Sequence, residues 1–482
     1  MKYIDLDITN NVFAETSLIN SGNVRNLRLK WLIKTKYIIT GTPIIRGNFV
    51  YFSDWGGNIY CVNKYNGELK WKHHLYTPPA PASGNEFAAP YLWNGLAGSG
   101  LIINSIWYLA SCGGQPGSPL KNGSPAKLYA IDINNGSMIF CNTITDSEWG
   151  TSIAKPLYFD GLIYLGICGT DQRAKAWAYS HGVVFKSQTK GMVIAIKASN
   201  GMTAWSVNTS CLLPEDLPNS TGAGIYSSFT LCPKTGMLYF GTGANYGPPI
   251  SSTSDSLVAL NYKKGDYIWH YKVNSSALLS TASGRIIEDY FAPGPQVFDF
   301  YKEEDRVPAI GIASNDGYYY ILNRVTGLLL KKIKLYIGKS PDTTTSGYAN
   351  AGGTPGILDG KIYIACNNGI LGGPPDYKKI KSTSVSCIDA STSSLLWLQV
   401  QDGFIWNNAG VLCNDLYLVG NINGNLIAYD TKTGDLLSYN KIYNASVASS
   451  ILADEYSIYF GCGVPEQLGG RPLCGLYCYS VR

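Results

Sequence analysis

The chain has 482 residues, about three times a typical ~150-residue domain, so it can hold one large core or many small ones built by repetition. Charged residues make up only 15 %, and 38 basic against 33 acidic residues leave a net charge of +5, too mild to argue for a nucleic-acid partner. The 53 Gly, 35 Tyr and 11 Trp, with β-branched residues between Gly, Asn and Ser clusters, point to strands joined by turns.

The opening stretch, MKYIDLDITNNVFAETSLIN, has neither an apolar h-region nor a small-residue cleavage site, so no secretory signal peptide is expected. NLRLKWLIKT, residues 26–35, reads as a strand carrying Trp31. A strand pair over 42–54 leads into GNIYCVNKYNGELKW, where Tyr60, Gly67 and Trp71 stand at steps of seven and four. The apolar run at 101–110 is too short to span a bilayer, and the chain reads as soluble. The same steps recur at Tyr129, Gly136 and Phe140, at Ile194, Gly201 and Trp205, and at Val258, Gly265 and Trp269. Later copies are worn. Tyr320, Gly327 and Lys331 lack the Trp; Ser386, Ser393 and Trp397 lack the Gly; Ile427, Gly434 and Ser438 end in Ser. An eighth copy begins at Tyr477 and stops at Arg482. Upstream strand pairs precede these copies at 154–167, 227–243, 352–366, 408–420 and 447–463.

Each unit is thus four short strands, two before a loop and two around the Gly turn. Four strands per 40–70 residues, repeated about eight times, is the signature of an all-β, eight-bladed β-propeller. Stacking blades in a ring covers both faces of each sheet, which a lone four-stranded sheet cannot do. The whole chain, 1–482, reads as one propeller domain. Its last copy supplies only three strands, and residues 26–35 are expected to complete that blade, with Trp31 in the place of the missing Trp.

The twelve Cys include no C-x-x-C, which removes zinc-ribbon and thioredoxin readings. Cys462, Cys474 and Cys478 cluster near the end, where a disulfide is one alternative; strand-filling thiols are the favoured reading. Sequons stand at Asn122, Asn135, Asn208, Asn219, Asn274 and Asn444. The four His show no paired ligand spacing, and neighbouring His73 and His74 on a strand point to opposite faces. GTGANYG lacks the third Gly and following helix of a nucleotide loop, so it reads as a strand-end turn. No G-x-S-x-G elbow supports a hydrolase.

The units resemble the tryptophan-docking repeats of the pyrroloquinoline quinone (PQQ)-dependent alcohol dehydrogenase, or quinoprotein, family, roughly G-x-x-Y-A-x-D-x-x-T-G-x-x-x-W. The nearest branch is the polyvinyl-alcohol-dehydrogenase-like one. The resemblance covers nearly the whole chain and implies eight blades, the Trp of one packed on the next. It also implies PQQ near the axis, a Ca²⁺ held by oxygen ligands, and an Asp acting as base on an alcohol.

Carried over by position, the family's acidic metal ligand falls on Asp171 in LGICGTDQ. The ligand Asn falls on Ala244 in GTGANY, with Asn245 one residue late. The ring-stacking aromatic falls on Tyr226. Where the catalytic Asp is expected the chain has no carboxylate, and Asp289 is the nearest substitute. The basic quinone contact falls on Asn315, and the family's adjacent Cys pair is missing, since Gly113 follows Cys112. These departures lead to the expectation of a propeller that has lost PQQ catalysis, with no cofactor. It would serve as a binding, assembly or structural scaffold for protein subunits or surface ligands. The alternative is a PQQ- and Ca²⁺-dependent dehydrogenase of alcohols or polyols. Residue usage rich in Asn, Ile, Lys and Tyr fits an AT-rich genome, as in large DNA viruses or some bacteria, and extends the scaffold reading to an extracytoplasmic site or a particle surface.

Overall fold

The computed structural model describes residues 14–75, 95–112, 125–171, 182, 184–273, 293–302, 305–335, 353–368, 382–405, 410–464, 470–471 and 473–482. They form eight antiparallel blades, seven of them from four consecutive strands and the eighth from the last three strands and Arg28–Lys34, with the third gaining a fifth short strand at Gly150–Thr151. Blade 1 runs through Ile44–Arg46, Phe49–Ser53, Asn58–Asn63 and Leu69–His74. First strands of neighbouring blades approach one another, as Gly356–Leu358 of blade 6 does Val411–Cys413 of blade 7, so they lie at the axis and the fourth strands form the rim.

Burial follows from this stacking. Third strands are buried on both faces: in Asn58–Asn63 only the two end residues are part-exposed. In the outer strand Leu69–His74 only Trp71 is buried. The core is accordingly a series of layers between blades. Val50, Phe52, Tyr60 and Val62 of blade 1 pack with Trp31, Tyr459, Leu476 and Cys478 of blade 8.

The recurrent turn is built by its own residues. In blade 1 Asn63 Oδ1 accepts the Tyr65 N–H at 2.8 Å, and the Gly67 N–H returns to Asn63 O at 2.9 Å. The register slips at one place in every such hairpin, between Cys61 and Val62 here. Gly67 is needed twice over. Its φ is +74°, and a methyl group there would lie 2.9 Å from Trp31 Cδ2 of the preceding blade. Each Trp therefore sits on the Gly turn of the next blade: Trp71 by Gly136, Trp205 by Gly265, Trp269 by Gly327, and Trp397 by Gly434.

This contact explains which repeats are worn. Blade 5 has Lys331 in the Trp position, and its ammonium donates to Ser391 O in the blade 6 turn. That is the turn where Ser393 replaces Gly, at φ +64°. Once no indole covers the turn, one of the two reasons for Gly is gone, and only the left-handed backbone is left to tolerate. Ser438 of blade 7 faces blade 8, which has no such turn, because its outer strand comes from the other end of the chain.

The expected closure is present. Arg28–Lys34 pairs antiparallel with Gly475–Ser480, from Arg28 opposite Ser480 to Lys34 opposite Gly475. Trp31 Nε1 donates to Lys64 O across the junction at 3.1 Å, and Lys64 Nζ meets Asp454 Oδ2 at 2.7 Å. All twelve Cys are free thiols, and burial pushes several of them up, Cys61 to about 11. Among the described residues no helix is long and apolar enough to cross a membrane.

Candidate functional site

The second strand of blade 3, Leu162–Gly169, delivers Asp171 just beyond its end. Asp171 is fully buried. Its Oδ1 accepts the backbone N–H groups of Gln188 at 2.7 Å and Thr189 at 3.1 Å. Its Oδ2 is buried with no hydrogen-bond partner among the described residues. Burial pushes this carboxyl above the ordinary carboxylate range, against the pull of those N–H groups.

Gly169 is the point of convergence. A methyl group there would lie 2.5 Å from Asp171 Oδ2 and 2.8 Å from Tyr246 Cε2. The Gly169 N–H donates to the Tyr246 hydroxyl at 2.7 Å, and the Tyr226 hydroxyl donates to Gly169 O at 3.0 Å. The two phenol oxygens are 3.1 Å apart. The structure thus brings Asp171 and Tyr226 to one place and adds Tyr246, which the sequence reading did not single out.

Asn245 is placed differently. It begins Asn245–Gly247, a short strand paired with Thr221–Gly222 outside the blades. Adjacent residues of an extended strand point to opposite sides. Tyr246 points at Gly169, and Asn245 turns its Nδ2 to Pro249 O at 3.0 Å. Its Oδ1 is buried without a hydrogen-bond partner among the described residues. Ala244, buried, supplies only a methyl group at the neighbouring position. Asn315 sits in the turn between the second and third strands of blade 5, buried, its Oδ1 also without a hydrogen-bond partner among the described residues. The adjacent Asp316 takes the Tyr320 hydroxyl, with Lys332 Nζ 3.6 Å away. Asp289 lies outside the described residues. Among the described residues no three His, Cys, Asp or Glu side chains converge as a metal cluster.

The site therefore offers one buried carboxylate oxygen suited to a hard cation, beside two phenols that hydrogen-bond to the backbone and lie within reach of each other. The sign of the Asp171 shift gives a test. A carboxyl held up in the folded chain supports folding while protonated, and that support is lost as pH rises through its raised value. At neutral pH in chelator, Asp171→Asn is therefore expected to raise the melting temperature. The same reasoning expects Ca²⁺ to raise that of the wild type alone, provided the orphan oxygen takes the ion. Thermal melts with and without Ca²⁺ check both.

The architecture defines a class, the eight-bladed β-propeller of four-stranded blades. Residues 186–336 match the family model described as glucose/ethanol/alcohol dehydrogenase, beta-propeller domain, of the PQQ type. The chain is similar to a polyvinylalcohol dehydrogenase of Pseudomonas sp, 21 % identical over 272 residues, which is 54 % of this chain and 38 % of that protein. It is likewise 21 % identical over 353 residues to the quinoprotein alcohol dehydrogenase PedH of Pseudomonas putida, 66 % of this chain and 52 % of the relative. The matches thus span about half or less of those relatives' length. Among solved structures, the quinohemoprotein alcohol dehydrogenase from Comamonas testosteroni superposes with a TM-score of 0.74 at 15 % identity, over 98 % of this chain and 79 % of that one. At that identity the superposition speaks for the fold.

Proposed function

We propose that this quinoprotein-type propeller has lost PQQ-dependent alcohol oxidation and works as a rigid scaffold for binding or assembly. The observation that carries the reading is the filled junction at Gly169. Tyr246, fully buried, takes the space beside Asp171, and both its hydroxyl and that of Tyr226 bond to the Gly169 backbone. Ala244 stands where the family pattern asks for a ligand amide, and Asn245 faces Pro249. Asn315 brings no positive charge to the position of the basic quinone contact. The residues present fit a cation better than they fit a quinone. A particle surface or extracytoplasmic location extends this reading on composition alone.

A second reading is favoured by one atom, the buried Asp171 Oδ2, which has no hydrogen-bond partner among the described residues, and agrees with the relatives' names. In it the chain is a PQQ- and Ca²⁺-dependent dehydrogenase of alcohols or polyols. Asp171 and the Asn245 amide oxygen would hold Ca²⁺, and Tyr226 and Asn315 would lie against the quinone. Asp289 would take the alcohol proton. When bound, the quinone supplies the acceptor for the substrate's electron pair. A dye-linked oxidation assay after reconstitution with PQQ and Ca²⁺ separates the readings. The first expects rates at background for ethanol and for polyvinyl alcohol. Robust turnover that Asp171→Ala removes would overturn it.

A further inference from the structure

We propose that the rims of blades 8 and 1 together form a binding surface for an anionic polysaccharide. The proposal is independent of what the axis holds. Residues 25–75 carry nine basic and two acidic residues, a local charge of +7, while the whole chain carries +5. The rest of the molecule is therefore slightly acidic, and this sector accounts for the entire positive charge. Of its two acidic residues, Asp54 is fully buried.

The fold gathers these charges on two neighbouring outer strands. Arg28, Lys30 and Lys34 stand exposed on Arg28–Lys34, and Lys70 and Lys72 on Leu69–His74. Trp31 of the first strand covers the Gly67 turn that leads into the second, so the two lie side by side where the ring closes. Lys70 and Lys72 rest over the Phe49 and Tyr60 rings, at 4.2 and 5.1 Å, which holds them in place. Arg28 bonds only to the carbonyls of Arg25 and Leu27, so its charge is not offset. Neither strand contains an acidic residue, and none of the five cations has an ion-pair partner among the described residues. The other rims differ. The outer strands of blades 2, 3 and 6 contain no lysine or arginine. Those of blades 4 and 7 have one lysine each, Lys272 and Lys441, turned onto loop oxygens. Blade 5 has three, but Lys332 lies 3.6 Å from Asp316 and Lys331 donates to Ser391 O. Uncompensated like charges repel one another, and a polyanion relieves that repulsion.

The shape of the surface selects among polyanions. Eight blades in a ring set neighbouring rims about 45° apart, so a planar bilayer meets one rim at a time while a flexible chain bends across both. Nucleic-acid bases are bound on open aromatic faces or by an element that enters a groove. Tyr37 and Tyr65, the exposed rings of this sector, already carry Lys36 and Lys64 over them at 5.3 and 5.2 Å. The two outer strands lie within their blades, with no ribbon or helix to enter a groove. An anionic polysaccharide asks for neither device. Its sulfates or carboxylates lie along the outside of the chain, where lysine ammonium groups meet them as point charges.

Fluorescence anisotropy of labelled dextran sulfate, titrated with the full chain at about 0.15 M salt, tests the proposal. Saturable binding is expected, and none to uncharged dextran. The triple variant Lys30→Ala, Lys70→Ala, Lys72→Ala is expected to bind at least about tenfold more weakly. It keeps a cooperative melting transition, because all three side chains are exposed. A second triple, Lys263→Ala, Lys264→Ala, Lys334→Ala, removes the same charge from blades 4 and 5 and is expected to leave binding within about twofold of the wild type. Equal weakening by the two triples would reduce the effect to net charge and overturn the proposal. So would an absence of saturable binding, or tighter binding to oligothymidylate or to phosphatidylserine vesicles than to dextran sulfate.

Discussion

A chain lacking residues 1–36 is expected to show no cooperative thermal transition. The loss goes well beyond one strand. Arg28–Lys34 supplies the fourth strand of blade 8, and without it Gly475–Ser480 becomes an edge with a bare apolar face. Trp31 goes too, so the Gly67 turn loses the indole that covers it and Lys64 O loses the shorter of its two side-chain donors. The segment before the strand is a strap over blades 7 and 8. Ile19, Val24 and Leu27 are fully buried among residues of both. The Ser21 N–H and hydroxyl donate to the two oxygens of Asp415, and the Asn414 amide donates to Ser17 O and Ile19 O. Each buried aliphatic side chain is worth about 1.5–3 kcal/mol. Three of them, an indole and a strand ladder together are comparable to the ~5–15 kcal/mol by which a typical domain is stable. Circular dichroism melts of the truncated chain provide the check. A normal sigmoidal melt would mean that the ring does not depend on this closure.

Trp397→Ala is expected to destabilise the protein by about 3–5 kcal/mol, the range for removing a buried aromatic side chain. Trp397 closes blade 6 onto blade 7. Its Nε1 donates to Thr431 O at 2.9 Å, and its ring meets Tyr363 at 6.1 Å and Tyr429 at 6.2 Å. It also covers Gly434, where a methyl group would lie 2.6 Å from its Cδ2. Lys331→Ala, at the equivalent place in blade 5, is expected to cost less than about 1 kcal/mol, because its bond to Ser391 O is solvent-exposed. Urea melts of the two variants measure the difference. Equal losses would show that the indole-on-glycine contact is not what joins the blades.

The ring was legible in the sequence because one physical requirement repeats. A left-handed turn under an indole demands Gly and Trp at a fixed step, and seven blades keep enough of the pattern to be counted. Closure was legible from the blade that ran out of strands. The strap over residues 14–27 was not, since it occurs once and its side chains are buried by distant parts of the chain. Thr221–Gly222 and Asn245–Gly247 escaped for a similar reason: their short ribbon belongs to no blade.

At the site, Asn245 turns away from the position of Ala244 because adjacent residues of an extended strand point to opposite sides. What no local pattern announces is Tyr246. Its role exists only because blade 3 brings Gly169 under a residue 77 positions later. The lost Trp of blade 5 and the lost Gly of blade 6 looked like separate lapses in the repeat. They are one contact, given up on both sides.

The central claim, that the middle of this propeller no longer holds a quinone, is tested most directly by titrating PQQ into the purified chain in the presence of Ca²⁺ and following the quinone absorbance. The expected result is no saturable change, with identical traces for the wild type and Asp171→Ala. Saturation at one equivalent, weakened by Asp171→Ala, would contradict it and establish the chain as a quinone-binding protein.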